Sequence, residues 1–92
     1  MTALPGTVWF VGAGPGDPDL ITVKGRRLLE RAGAILFAGS LVDRSATQFA
    51  PAHCEIRDSR DMTLEGMSAW LLDACARHPV VVRLQTGDPG LY

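Results

Sequence analysis

Two short runs of this sequence carry residue types that can do chemistry. The first, Gly12-Ala13-Gly14-Pro15-Gly16-Asp17-Pro18-Asp19, sets glycines, prolines and carboxylates side by side; the second, Thr86-Gly87-Asp88-Pro89-Gly90, is of the same kind. Glycine lets another molecule approach the backbone closely, and proline stiffens the chain while removing an N–H donor. A dinucleotide loop needs G-x-G-x-x-G opening into a helix, but here the third glycine falls one position early and Asp17 stands where it should be. Asp17 and Asp19 would repel a phosphate, and no G-x-x-x-x-G-K-[ST] pattern occurs. The chemistry that fits is the binding of a cationic, hydrogen-bonding small molecule, a sulfonium compound being one candidate. Each loop alone is also readable as a plain tight turn, because glycine and proline are ordinary turn residues. Brought to one edge of a sheet, the two would wall a crevice with carboxylates near its mouth.

The elements that must position these loops follow from hydrophobic periodicity. Thr7 to Val11 is apolar on both faces, the pattern of a strand buried in a parallel sheet. After the first loop, Ile21, Gly25, Leu28, Leu29 and Ala32 recur at helical spacing, with Thr22 as N-cap and Lys24, Arg26, Arg27, Glu30 and Arg31 on the other face. Gly25 inside this helix implies close packing on the sheet. Ile35 to Phe37 reads as a second strand, Leu41, Val42, Ala46 and Phe49 as a short helix before Pro51, and Cys54 to Ile56 as a third strand. Thr63 is the expected N-cap of a longer helix whose buried face is Leu64, Met67, Leu71 and Cys75, stopped by Pro79. Val80 to Leu84 is the fourth strand. Alternation of this kind predicts an α/β fold with a parallel, doubly wound sheet, whose ligands bind outside the carboxyl ends of its strands.

Composition narrows the field of partners. The chain has 92 residues, 47% of them hydrophobic, enough for one domain with a real core. Nine basic and ten acidic residues give a net charge of -1, which argues against nucleic acid or an anionic membrane as partner. Cys54 and Cys75 have neither CxxC spacing nor neighbouring histidines, so neither a metal site nor a disulfide framework is expected. The opening MTALPGTVWF lacks the features of a signal peptide, and a cytoplasmic location is expected. The close on a turn-forming run directly behind a strand reads as a cut.

The run from Val11 to Gly25, VGAGPGDPDLITVKG, closely resembles the N-terminal signature of the tetrapyrrole (uroporphyrinogen, precorrin and cobalt-precorrin) methylases. Arg83 to Tyr92, RLQTGDPGLY, resembles that family's second signature, and the likeness extends over essentially the whole chain. Phe37-Ala-Gly-Ser-Leu-Val42 and Asp58-Ser-Arg-Asp-Met-Thr-Leu-Glu65 look most like the branch acting on precorrin-4 at C-11, with Phe37 in place of the commoner tyrosine and Gly66 in place of a glutamate. The resemblance implies that residues 1–92 are the N-terminal α/β domain of a two-domain protein, with the first and fourth strands as neighbours. It implies S-adenosyl-L-methionine as cofactor, held by Pro15, Thr86, Gly87, Asp88 and Leu91, with the contact at Thr86 made through the backbone. Gly14, Gly16 and Asp17 would border the substrate, an acidic tetrapyrrole. It further implies a homodimer at full length, no nucleic-acid or membrane partner, and no methyl transfer by these 92 residues alone.

No residue here is needed as a covalent nucleophile, because the sulfonium methyl group is already activated. Cys54 and Cys75 are expected in the core, His53 and His78 at the surface or capping a helix, and Trp9 and Trp70 in packing. Three other readings stay open: a sibling precorrin or uroporphyrinogen methyltransferase, since the branches acting at C-17 or C-20 share the general frame; an adenosylmethionine- or small-molecule-binding module without catalysis, favoured only by the chain's length; and a nucleotide-dependent oxidoreductase, disfavoured by the spacing of the first loop.

Overall fold

The structure is a computed structural model that describes residues 6–13, 23–39 and 41–86. The elements are strand β1 (Thr7–Ala13), helix α1 (Val23–Arg31), strand β2 (Ala34–Phe37), helix α2 (Leu41–Ala46) running into a 3-10 turn (Thr47–Phe49), strand β3 (Glu55–Asp58), helix α3 (Leu64–Arg77) and strand β4 (Val80–Thr86). The four strands form one sheet in the order β1-β4-β2-β3, and all its pairs are parallel. The last strand in sequence is therefore threaded between the first two, and β1 and β4 are neighbours.

Alternation along the strands divides the core between two faces. Val11 of β1, Ile35 and Phe37 of β2, and Val82 and Leu84 of β4 pack with Leu29 and Ala32 at the α1 end and Ala46 of α2; Trp9, Leu28 and Phe49 lie against this cluster. On the opposite face Ala34 and Val81 pack with Ala74 and Cys75 of α3, joined by Val8, Trp70 and Leu71. Helices thus cover both faces, as a doubly wound sheet requires. Both tryptophans pack at the edges of these clusters, and Gly25 is buried in α1.

Two apolar expectations need correction. Phe10 is 60% exposed because β1 is an edge strand among the described residues, so its run of apolar residues is not buried on both sides. Leu64 is 79% exposed: the first turn of α3 lies outside the region packed on Ala34 and Val81, and the buried face of the helix is carried by Ala74 and Cys75 with Trp70 and Leu71.

The helix ends obey local rules. The Thr63 hydroxyl accepts a hydrogen bond from the Gly66 N–H at 3.0 Å, as an N-cap should. His78 caps the other end through its backbone N–H to the Ala74 carbonyl, immediately before Pro79. At the amino edge of the sheet the Glu55 carboxylate receives Arg77 Nη1 at 2.5 and 2.6 Å and lies 2.5 Å from His78 Nε2, tying β3 to the end of α3. Arg77 also reaches Asp73 at 2.9 Å.

Candidate cofactor and substrate edge

β1 and β4 run side by side for their full lengths, from Thr7 opposite Val80 to Ala13 opposite Thr86. Both strands end at the same pair, and each leads directly into one of the two glycine-rich loops. The loops therefore leave adjacent strands at the carboxyl edge of a parallel sheet, where α/β folds place their ligands. Of the residues expected to hold the cofactor, Thr86 is placed, as the last residue of β4. Pro15, Gly87, Asp88 and Leu91, and the expected substrate-side residues Gly14, Gly16 and Asp17, lie outside the described residues.

The same edge brings together the two segments that carry the likeness to the C-11 branch. Phe37 and Asp58 are register partners at the ends of β2 and β3, and the Ser59 N–H donates to the Phe37 carbonyl at 2.7 Å. Gly39 turns the chain with φ of +82°, a left-handed conformation suited to glycine, and a Cβ there would lie 3.1 Å from Asp58 Oδ1. Asp58 accepts the Arg60 N–H at 2.9 Å and pairs loosely with the Arg60 and Arg44 guanidiniums at 3.5 and 4.0 Å. An open recess of about 400 Å³ beside this turn is lined by Ile56, Arg57, Asp58, Arg60 and Asp61.

Neither cysteine is set up as a nucleophile. Cys75 is buried against Val81 and Ala34. Burial, helped by the neighbouring Glu55 charge, pushes the Cys54 thiol up to about 11, so it stays protonated near neutrality. His53 is exposed, while His78 is engaged with Glu55. Among the described residues no three histidine, cysteine or acidic side chains converge to hold a metal, and no helix is long and apolar enough to cross a membrane. The residue that sequence reasoning passed over is Arg83. It interrupts the apolar run of β4 and is half-buried, and a lone charge inside a core strand was the signal that marked it.

A parallel sheet covered by helices on both faces, with β1 and β4 ending level at its carboxyl edge, defines an α/β domain of the doubly wound kind. The sequence profile of the tetrapyrrole (corrin/porphyrin) methylases matches residues 7–92, and the chain belongs to that family. It is similar to the cobalt-precorrin-4 C(11)-methyltransferase of Methanocaldococcus jannaschii, 45% identical over 92% of this chain and 33% of the relative. The X-ray structure of a cobalt-precorrin-4 methyltransferase, a cobalamin biosynthetic enzyme, superposes with a TM-score of 0.84 at 44% identity, covering 92% of this chain and 36% of that one. A uroporphyrin-III C-methyltransferase from Thermus thermophilus, solved with S-adenosyl homocysteine, gives a TM-score of 0.73 at 40% identity over 95% of this chain and 35% of that one. The chain thus spans about a third of the length of the relatives it matches.

Proposed function

We propose that this chain forms one wall of the cofactor site of an S-adenosyl-L-methionine-dependent methyltransferase acting on precorrin-4 at C-11 in cobalamin biosynthesis. The observation that carries this reading is the register of β1 and β4, whose common end at Ala13 and Thr86 gives the two loop sequences adjacent starting points. The donor set fits a sulfonium cofactor: glycine-rich backbone free to approach it, and carboxylates in place of phosphate-binding cations. The adjacency of the Phe37 and Asp58 segments supports the branch, since the features that resemble it share one edge with the cofactor strands.

When bound, the cofactor supplies an activated methyl group on a positively charged sulfur, with a neutral leaving group. Pro15, Thr86, Gly87, Asp88 and Leu91 hold it, and Gly14, Gly16 and Asp17 border the macrocycle. The work of these residues is in-line positioning and exclusion of water, the terms that accelerate a transfer needing no protein nucleophile. The active form is a cytoplasmic homodimer with a second domain, and residues 1–92 alone do not turn over.

The test is calorimetric titration of the protein at its full natural length with S-adenosyl homocysteine and with NAD. Micromolar binding of the former, lost in Gly87→Leu, supports the reading; preference for NAD overturns it. Incubation with precorrin-4 and methyl-labelled cofactor then locates the methyl group. Label at a carbon other than C-11 rejects the branch and leaves the family assignment intact.

A further inference from the structure

Arg83 is the one arginine among the described residues that is not exposed, and it sits at the centre of the sheet, opposite Phe10 of β1 on one side and Leu36 of β2 on the other. Its guanidinium makes a long hydrogen bond to the Leu84 carbonyl at 3.3 Å and a weak one to the Met67 sulfur at 3.9 Å, both neutral acceptors that bring no counter-charge. Among the described residues no carboxylate lies within ion-pair distance of it, whereas Arg26, Arg44, Arg57, Arg60 and Arg77, all more exposed, each have one. A half-buried cation without a counter-charge is unfavourable, and the planar fork of a guanidinium matches a carboxylate best. Arg27 and Arg31 also lack a carboxylate partner among the described residues, but both are exposed to water, so among these residues Arg83 alone combines partial burial with the lack of one.

Its surroundings say what kind of carboxylate would complete it. Arg83 lies three residues before Thr86, on the α3 face of the sheet, and its register partner Phe10 follows Val8 on that same face. Phe10 is 60% exposed and is not among the side chains that pack under α3. An open aromatic ring therefore stands beside a guanidinium that has no carboxylate partner among the described residues, on the strands whose ends lead into both loops. That combination suits a flat, largely apolar ring system carrying carboxylate side chains.

We propose that Arg83 is a substrate-anchoring residue, binding a carboxylate side chain of the tetrapyrrole while the macrocycle rests against Phe10. This rests on the methylase reading above, and it adds a contact outside both loops. The carboxylate stays ionised throughout and no bond is made or broken at Arg83; the residue sets which way the ring lies relative to the cofactor edge.

The experiment measures, in the protein at its full natural length, affinity for three probes: S-adenosyl homocysteine, uroporphyrin III, and uroporphyrin III with its carboxylates converted to neutral amides. Arg83→Met is expected to weaken uroporphyrin at least about tenfold, the size of a lost charge-assisted hydrogen bond, with adenosyl homocysteine affinity unchanged within about twofold. The amide should bind weakly to the unmodified protein and be indifferent to the substitution. Arg83→Lys, which keeps the charge and loses the fork, should fall between. Unchanged uroporphyrin affinity in a folded Arg83→Met overturns the proposal. So does equal loss of both ligands, which would mean that a carboxylate of this chain pairs with Arg83. If Arg83→Met does not fold, Arg83→Lys decides by the same comparison. Unmodified protein that binds no adenosyl homocysteine sinks the methylase reading itself, a result distinct from failure of the anchor.

Discussion

Ala13 and Thr86 stand opposite each other as the last residues of two adjacent parallel strands, so two loops far apart in sequence begin at one point in space. Neighbouring strands lie about 4.8 Å apart, so the starting points of the two loops fall within the span of one small molecule.

If that edge works through its backbone, the side chain at Thr86 is dispensable and the lack of one at Gly87 is not. Thr86→Ala should keep the dissociation constant for S-adenosyl homocysteine within about threefold, whereas Gly87→Leu should raise it by at least about tenfold, roughly 1.4 kcal/mol. Calorimetry on both variants checks this, with circular dichroism to confirm that each is folded. A large loss in Thr86→Ala would place the contact on the hydroxyl instead.

Gly33 is needed for want of space. Its N–H donates to the Val80 carbonyl and its carbonyl accepts from the Glu55 N–H, pinning it between β4 and β3 at the amino edge. A Cβ there would sit 2.4 Å from Cγ and Nδ1 of the His78 ring and 2.6 Å from its Cβ. These atoms lie near the root of the His78 side chain, so rotating its tip does not relieve the clash. Gly33→Ala should therefore cost about 1 to 3 kcal/mol, the range for overpacking a closed site. Urea melts would show it as a lower midpoint at unchanged slope, and Gly33→Ala with His78→Ala should recover part of the loss.

The cap of α3 gives a smaller, cleaner effect. Thr63 bonds the Gly66 N–H at 3.0 Å and is itself exposed, so removing its hydroxyl disturbs little else. Thr63→Ala should lower stability by about 1 kcal/mol and Thr63→Ser by much less, since serine keeps the acceptor. Thermal unfolding of the two variants distinguishes them; equal losses would mean that the threonine methyl group, not the cap, is at work.

What could be read from the residues, and what could not, divides along physical lines. Strong local signals were sufficient for the apolar run at Val80, the cap at Thr63 and the stop at Pro79, because each acts within a turn or a single strand. The adjacency of β1 and β4 has no local signature and is implied only by the resemblance to the family, while the place of β2 on the other side of β4 is shown by the structure alone. Periodicity also assigns a face without saying what covers it: Leu64 shares a helical face with Cys75 yet is exposed, and Phe10 is apolar yet stands open on a strand that is at the sheet's edge among the described residues. The spacing and the acidic side chains of the glycine-rich loops spoke against phosphate binding without any structure. Arg83, by contrast, gained its meaning only from neighbours that three different elements supply, Phe10, Leu36 and Met67.

The ties at the amino edge make stability depend on acidity in a stated direction. Hydrogen bonds from Arg77 and then His78 hold the Glu55 carboxyl below its usual range, and the same partnership raises Arg77 further above its own. A depressed carboxylate binds its proton more weakly in the folded chain than in the unfolded one. Its contribution is therefore complete above the ordinary glutamate value, about 4.3, and drains away as pH falls through the lower folded value. Because the groups are exposed and screened by salt, the effect is modest and should shrink at high ionic strength. Thermal midpoints measured from about pH 6 down to about pH 3 should fall more steeply for the unmodified chain than for Glu55→Gln, and the two curves should converge at the acid end. Parallel curves across the whole range would show that Glu55 contributes through packing and not through its charge.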